Sequence, residues 1–365
     1  MSASRRRTAV VLYAASVGTA LALAAVLVAV TGGSWPKVFS TIVRGSVTGP
    51  GRIGLTLGVM VPILMVTIGT IVNARAGLVN IGQEGQLVIG ASFASYAGVR
   101  LAGPGPLALV AALAFGALGG AIWAGIAGAL RYWRNVPEVL TTLLLGSVAS
   151  NLMGFGLRHT SLLLAPADGR ASRNQVSQPL AADRRIPRVT WFGNEFPISV
   201  FFVVLAAILA AVVLGRSVAG FRLRMLGANP RVAQRAGVGA RRYGMAAMLV
   251  SGACAGLAGG LMLAGRDFGN YQLVANFGSG IGFAGLLAAL VARNRPLLAV
   301  VVAFVFAGLR TGSGFLSATG VSGRIADVVQ GLLVLALLVP PAVLYALDRR
   351  AGRPAVPTAA VVAEG

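Results

Sequence analysis

The chain has 365 residues, 56% of them hydrophobic and 11% charged, with a mean hydropathy of +0.82 and a formal net charge of +22. A water-soluble domain carries roughly a quarter charged residues, so this composition excludes a soluble enzyme and points to an integral membrane protein. The arginines gather at the ends of apolar runs, where membrane topology accounts for them, and no nucleic-acid binding is expected.

Apolar runs long enough to cross about 30 Å of hydrocarbon recur along almost the whole sequence, and the weak alternation of a β-barrel is absent. They predict an all-α, polytopic transmembrane helical bundle of about ten spans, range eight to ten. The spans fall near 9–30, 53–72, 78–99, 107–130, 137–157, 199–215, 244–264, 279–292, 296–310 and 325–347. Residues 1–352 then form one transmembrane domain and 353–365 a flexible tail.

The first run follows Arg5–Arg7 as in a signal peptide, but it is about 22 residues long and lacks a clean small-x-small cleavage site, so it reads as an uncleaved first span. With the N-terminus inside, eighteen of the thirty-one basic residues fall on the inner side, seven of them between positions 216 and 242. That bias favours an orientation with both termini in the cytoplasm.

The stretch "NARAGLVNIGQEGQLVIGA" puts Asn80, Gln83, Glu84 and Gln86 into the third span. On a helical wheel they occupy a sector of about 160°, with Gly82 and Gly85 on the other side. Burying such groups in hydrocarbon costs on the order of 2–3 kcal/mol each, so they face a wet path or a structural network between helices. In "RNVPEVLTTLLLGSVASN", Pro137 suits a first helical turn, and Glu138, Thr141 and Thr142 follow on one face. The helix dipole also favours Glu138 at that position, which is a structural reading of the same residue. Asp327, Gln330 and Asn276 are weaker polar candidates. The path candidates are therefore Asn80, Gln83, Glu84, Gln86, Glu138, Thr141, Thr142 and Gln330.

Glycines at small-xxx-small spacing, Gly116 and Gly120 in one span and Gly252, Gly256 and Gly260 in another, predict close helix packing. The loop 158–198 mixes Pro, Ser, Asn and charge and reads as an extracytoplasmic excursion with a short strand at 188–192. The loop 216–243 lies on the inner side, where Asn229–Pro230 starts a short basic helix that Gly237 stops. It is either a surface segment attracted to anionic lipid or a docking element for a cytoplasmic partner.

Reactive chemistry has little footing. No G-x-x-x-x-G-K-[ST], H-E-x-x-H or G-x-S-x-G occurs, His159 is the one histidine, and Cys254 is the one cysteine. No catalytic residue, metal or cofactor is expected.

These motifs carry a resemblance. "GLVNIGQEGQLVIGA", "RNVPEVLTTLLL", "LRMLGANPRVAQRAGVGARRYGMAAMLVSGACAGLAGG" and "GIGFAGLLAALVARNRPLLAVVVAFVFAGLRTG" resemble, in order, the permease subunits of ABC importers that serve branched-chain amino acids, simple sugars and nucleosides. The first points to the nucleoside and simple-sugar branch. The sequence departs from the pattern at Ala284, where an acid is frequent, and at Gly146–Ser147, where an Asn-Tyr pair is frequent.

The resemblance implies a transport subunit that is not itself an enzyme, paired with a second related permease or a copy of itself. Its partners would be a separate cytoplasmic ABC ATPase and an extracytoplasmic substrate-binding lipoprotein, with the lipid bilayer around it. Gly227, Asn229, Pro230, Arg231, Ala233 and Gly237 would form the element coupled to the ATPase. The alternatives are an ion-coupled secondary transporter and a branched-chain amino acid ABC permease.

Overall fold

The computed structural model describes residues 3–30, 34–166, 175–316 and scattered helical positions between 328 and 343. Its helices are α1 (Ala3–Val30), α2 (Trp35–Val43), α3 (Arg52–Arg75), α4 (Gln83–Arg100), α5 (Gly105–Arg134), α6 (Glu138–Gly156), α7 (Ser199–Arg216), α8 (Val218–Ala228), α9 (Pro230–Arg235), α10 (Ala240–Ala264), α11 (Ile281–Val291) and α12 (Pro296–Ser313). A two-stranded antiparallel hairpin, β1 (Arg188–Trp191) and β2 (Asn194–Pro197), pairs Arg188 with Pro197 and Trp191 with Asn194.

Helix α3 is apolar on every side, and a helix of that kind belongs in the middle of a bundle. It is buried along nearly its whole length, packed by α10, α11, α12 and α7. Helices α6 and α7 lie at the periphery; α7 turns Phe201, Leu205 and Leu209 outward, as a lipid-facing surface requires, and α6 exposes Leu140, Leu144 and Phe155 together with Ser147, Ser150 and Asn151.

Close packing of α4, α5 and α10 depends on glycine. A Cβ on Gly252 would run into the Gly120 carbonyl oxygen, one on Gly256 into that of Gly116, and one on Gly90 into the Gly256 backbone. The small-xxx-small spacing of the sequence is thus used for backbone contact between helices.

The chain alternates direction, so Arg75, the end of α5, the α8–α9 pair and Asn294 gather at one end. Arg75 Nη2 donates to the Asn294 carbonyl oxygen at 3.1 Å there, and Gly227 packs against Gly77. The described residues 157–166 and 175–198 lie at the opposite end, where Ile186 N donates to the Ala264 carbonyl oxygen at 3.0 Å.

Several boundaries differ from the sequence reading. Among the described residues six helices are long and apolar enough to cross a membrane, or seven if α1 and the segment 35–48 count as one span bent by 109°. The expected span at 279–292 is only the eleven-residue α11, which rises about 16 Å, half of a crossing. The expected span at 78–99 begins at Gln83, after an irregular stretch from 76 to 82. Most of the expected span at 325–347, including Asp327 and Gln330, lies outside the described residues, as does the tail 353–365.

Helix α2 was not anticipated, because a nine-residue helix is below the length of a hydropathy window. It buries Val38 and Ile42, with Ile42 against Gly312 of α12. The short strand at 188–192 and the short basic helix after Asn229 are present as β1 and α9.

Candidate functional site

Around the start of α4 the backbone leaves helical geometry, and polar side chains take over its hydrogen bonds. Gly77 has φ +73°, a left-handed turn where its lack of a side chain also lets Gly227 approach. The Asn80 side-chain oxygen accepts from Gly82 N at 3.1 Å and turns the chain into α4.

Asn80 and Gln86 exchange carboxamide hydrogen bonds at 2.9 and 3.0 Å. Asn80 Nδ2 and Gln83 Nε2 both donate to Ser251 Oγ of α10, at 3.1 and 2.9 Å, and Gln83 Nε2 also donates to Thr70 Oγ1 of α3 at 3.1 Å. All five side chains are buried. Buried polar groups tend to find partners, and most of these find one another across three helices, Gln83 Oε1 excepted.

Glu84 differs from its neighbours. It is half-buried, and its Oε1 accepts from Gly280 N at 3.2 Å while Oε2 takes no protein hydrogen bond. Gly280 is the residue before α11, so the carboxylate faces a helix N-terminus, where the dipole favours negative charge. Arg310 of α12 reaches the same place, its Nη2 donating to the Ser279 carbonyl oxygen at 2.8 Å. In the sequence Arg310 carries no such signal and reads only as an arginine in the last turn of an apolar helix.

Thr142 closes the other side of the break. Its Oγ1 donates to the Glu138 carbonyl oxygen at 2.7 Å and accepts from Ile81 N at 3.3 Å, while Gly82 packs on Thr142 itself. Thr141 is buried and donates to the Glu138 carbonyl oxygen at 3.1 Å. Glu138 Oε2 pairs with Arg131 Nε at 3.2 Å, tying the end of α5 to the start of α6. The structure therefore brings Thr142 to the 76–82 segment and points Glu138 away from it.

The basic loop is ordered by local rules. Ser217 Oγ accepts from Gly220 N at 3.0 Å and starts α8. Asn229 Oδ1 accepts from Arg231 N and Val232 N at 3.1 and 3.2 Å, and Pro230 at the first position needs no N–H partner, so α9 begins there. Gly237, at φ +78°, stops it.

The inner face of this unit, Leu226, Ala233 and Val238, shares one apolar cluster with Ala76 and Leu78. Gly227 lies against the Arg75 carbonyl oxygen, where a Cβ would sit at 2.5 Å. Arg231, Val232, Gln234 and Arg235 are exposed on the outer face.

The opposite end of the bundle is clamped by charge. Arg188 Nη1 donates to both Asp267 carboxylate oxygens at 3.2 Å, and its Nη2 donates to the Glu195 carbonyl oxygen at 2.8 Å. Burial pushes the Asp267 carboxyl above its ordinary range, and the Arg188 guanidinium partly offsets this. Leu180 N donates to the Tyr271 carbonyl oxygen at 2.9 Å, and Leu273 N to Ser177 Oγ at 2.8 Å, so this loop also fixes the connector between α10 and α11. Among the described residues no cluster of three His, Cys, Asp or Glu could hold a metal ion.

The arrangement sets an exposed basic helix at one end, a polar break beside it, and a carboxylate and a guanidinium further along the bundle. Comparison with known proteins gives the family. The family model described as "branched-chain amino acid transport system / permease component" matches residues 52–338. The guanosine ABC transporter permease protein NupP of Bacillus subtilis is 28% identical over 318 residues, covering 86% of this chain and 89% of that protein. The glucose ABC transporter permease protein TsgB13 of Haloferax volcanii is 30% identical over 288 residues, 76% of this chain and 73% of that one. A second Bacillus subtilis protein, the guanosine ABC transporter permease protein NupQ, is 27% identical over 306 residues, 80% and 88% of the two chains.

Proposed function

The chain belongs to the branched-chain amino acid transport system permease family, and from that premise we propose that it is the membrane subunit of an ATP-binding cassette importer for a nucleoside or a simple sugar. The names of the three relatives, two for guanosine and one for glucose, support that choice of solute over a branched-chain amino acid. The sequence has no phosphate-binding loop of its own, so ATP hydrolysis belongs to a separate chain.

The observation that carries the reading is mechanical. The exposed face of α9 is joined, through Ala233, Leu226 and Gly227, to the segment that starts α4. An ATPase that grips Arg231, Val232 and Arg235 moves α8 and α9 as one body, and the displacement is delivered to residues 75–82 and from there to Glu84. Alternating access needs such a rigid link between the driven element and the path.

In this reading Asn80, Gln83, Gln86, Thr141 and Thr142 hold the shape of the break, and Glu84, half-buried and bonded to Gly280 N, is the member nearest the path. The α9 end and both termini face the cytoplasm, in keeping with the arginine bias. The 158–198 loop, braced by Arg188 and Asp267, receives the binding lipoprotein. The occurrence of two similar guanosine permeases in one bacterium supports a second, related permease as the partner subunit.

The test is co-purification and uptake with Asn229→Ala and Arg231→Ala combined. The parent is expected to carry an ATPase through purification and to take up solute only with ATP. The double variant is expected to insert normally but to lose the ATPase and most of its uptake. A variant that keeps both, or uptake by the parent that collapses with an uncoupler at constant ATP, overturns the proposal.

A further inference from the structure

The connector between α10 and α11 presents a polar surface where a lipid-facing wall should be apolar. Helix α10, with 25 residues, crosses the bilayer completely, whereas α11 has 11 and rises about 16 Å of the roughly 30 Å hydrocarbon thickness. Residues 265–280, which hold only one short 3-10 turn at Arg266–Phe268, must therefore descend from the Asp267 end to about half depth largely without regular helix. Asn276, at φ +60°, and Gly280, at φ +81°, make the turns that end this descent at α11.

Irregular backbone at membrane depth is tolerated where protein covers it or where it lines water. Leu273 and Phe277 are covered. Ala275, Asn276 and Ser279 are exposed, and Phe283 is 50% exposed. Beside them stand Arg310, donating to the Ser279 carbonyl oxygen, and Glu84, accepting from Gly280 N.

The contrast with α7 is direct. Its exposed residues, Phe201, Phe202, Leu205, Ile208 and Leu209, are all apolar, as lipid demands. A surface holding an exposed asparagine and serine, backed by the half-buried Arg310 and Glu84, is not made for lipid, since ionisable side chains in spans turn to a bundle interior or a wet cavity.

From this juxtaposition we infer that Asn276, Ser279, Phe283 and Arg310 form, with Glu84, the water-lined wall along which the solute passes. The inference rests on the importer reading and goes beyond it, by assigning the wall to the α10–α11 connector and the solute to a chemical class. Glu84 and Arg310 offset each other's charge, so the wall favours an uncharged solute. Asn276, Ser279 and Arg310 offer hydrogen-bonding groups to hydroxyls, and the exposed Phe283 ring offers a flat apolar face to a ring. The class that fits is an uncharged, hydroxyl-rich ring compound, which a nucleoside and a pyranose both satisfy.

Thiol labelling tests the wall without assuming any transport mechanism. Cys254, the one cysteine of the sequence, is buried, so the parent is a silent background. Ser279→Cys and Phe283→Cys are compared with Leu209→Cys in native membrane fragments, using a charged, water-soluble methanethiosulfonate. Since thiol reactivity follows thiolate character and access, both wall positions are expected to react roughly tenfold or more faster than Leu209→Cys. Reaction no faster than Leu209→Cys, or reaction that appears only after detergent extraction, overturns the wall, the latter because a partner chain then covers it. Arg310→Gln is expected to lower guanosine and glucose uptake about tenfold or more while Ser279→Cys still labels, the loss of a transport interaction with the fold intact. Unchanged uptake overturns the assignment of Arg310. Failure of the importer reading shows elsewhere, as uptake by the parent that does not depend on ATP.

Discussion

Ser251 shows how one small residue can decide what a polar cluster does. Its hydroxyl accepts from both Asn80 and Gln83, in a position with no exposure. Removing it leaves two buried amide donors short of a partner, and an unsatisfied buried group costs about 1–3 kcal/mol. Ser251→Ala is therefore expected to lower the thermal unfolding temperature of the detergent-purified chain clearly, whereas Ser150→Ala, an exposed serine of α6, is expected to leave it unchanged. Equal unfolding temperatures for the two variants count against the network. Glu84, four residues from Asn80, takes no part in that network, because it points to α11 instead of α10. The sequence grouped Asn80, Gln83, Glu84 and Gln86 on one side of an assumed helix; the break at 76–82 removes Asn80 from that helix and separates the carboxylate from the carboxamides.

At the scale of elements, the bundle is held by backbone contact where the sequence is richest in glycine. Helices α5 and α10 approach through Gly116, Gly120, Gly252 and Gly256, and α4 joins them through Gly90. In lipid there is little hydrophobic drive between helices, so this close packing supplies much of the association energy. Gly256→Leu must push against the carbonyl of Gly116 and the backbone of Gly120 at once. Loss of a monodisperse peak in size-exclusion chromatography is the expected outcome, with Gly146→Leu as the control, since a Cβ at Gly146 meets nothing within 4 Å. A monodisperse Gly256→Leu variant would show that α5 and α10 can separate without harm. The caps of α9 were legible beforehand, because Asn-Pro and a following glycine are local signals. Helix α2 and the half-length α11 were not, because hydropathy counts apolar residues and does not register where a chain stops.

At the scale of the whole molecule, two exposed surfaces call for different neighbours. Up to its terminal Arg216, the exposed side chains of helix α7 are apolar, while α6 mixes Leu143 and Leu144 with Ser147, Ser150 and Asn151 on its exposed side. Small and polar residues let helices approach and hydrogen-bond across an interface. The second permease subunit is therefore expected to stabilise this chain. Co-expression with a related permease should give a complex larger than one chain and a higher yield than expression alone, read by size exclusion with light scattering. A chain that stays single and equally stable with its candidate partner present argues against the pairing.

Composition alone determined that the chain lives in a membrane as a helical bundle, since a lipid interior forces backbone groups to pair within helices. Local motifs determined the capped basic helix and its glycine stop, because capping depends on residues a few positions apart. Only the tertiary structure decided that Asn80 and Gln83 meet at Ser251, that α9 rests on the start of α4, and that Arg310 and Glu84 converge on Ser279 and Gly280. Ser251 is 171 residues from Asn80 and 168 from Gln83, Gly280 is 196 from Glu84, and all of these sit on elements whose rotation no one-dimensional pattern fixes, so helix packing alone could bring them together.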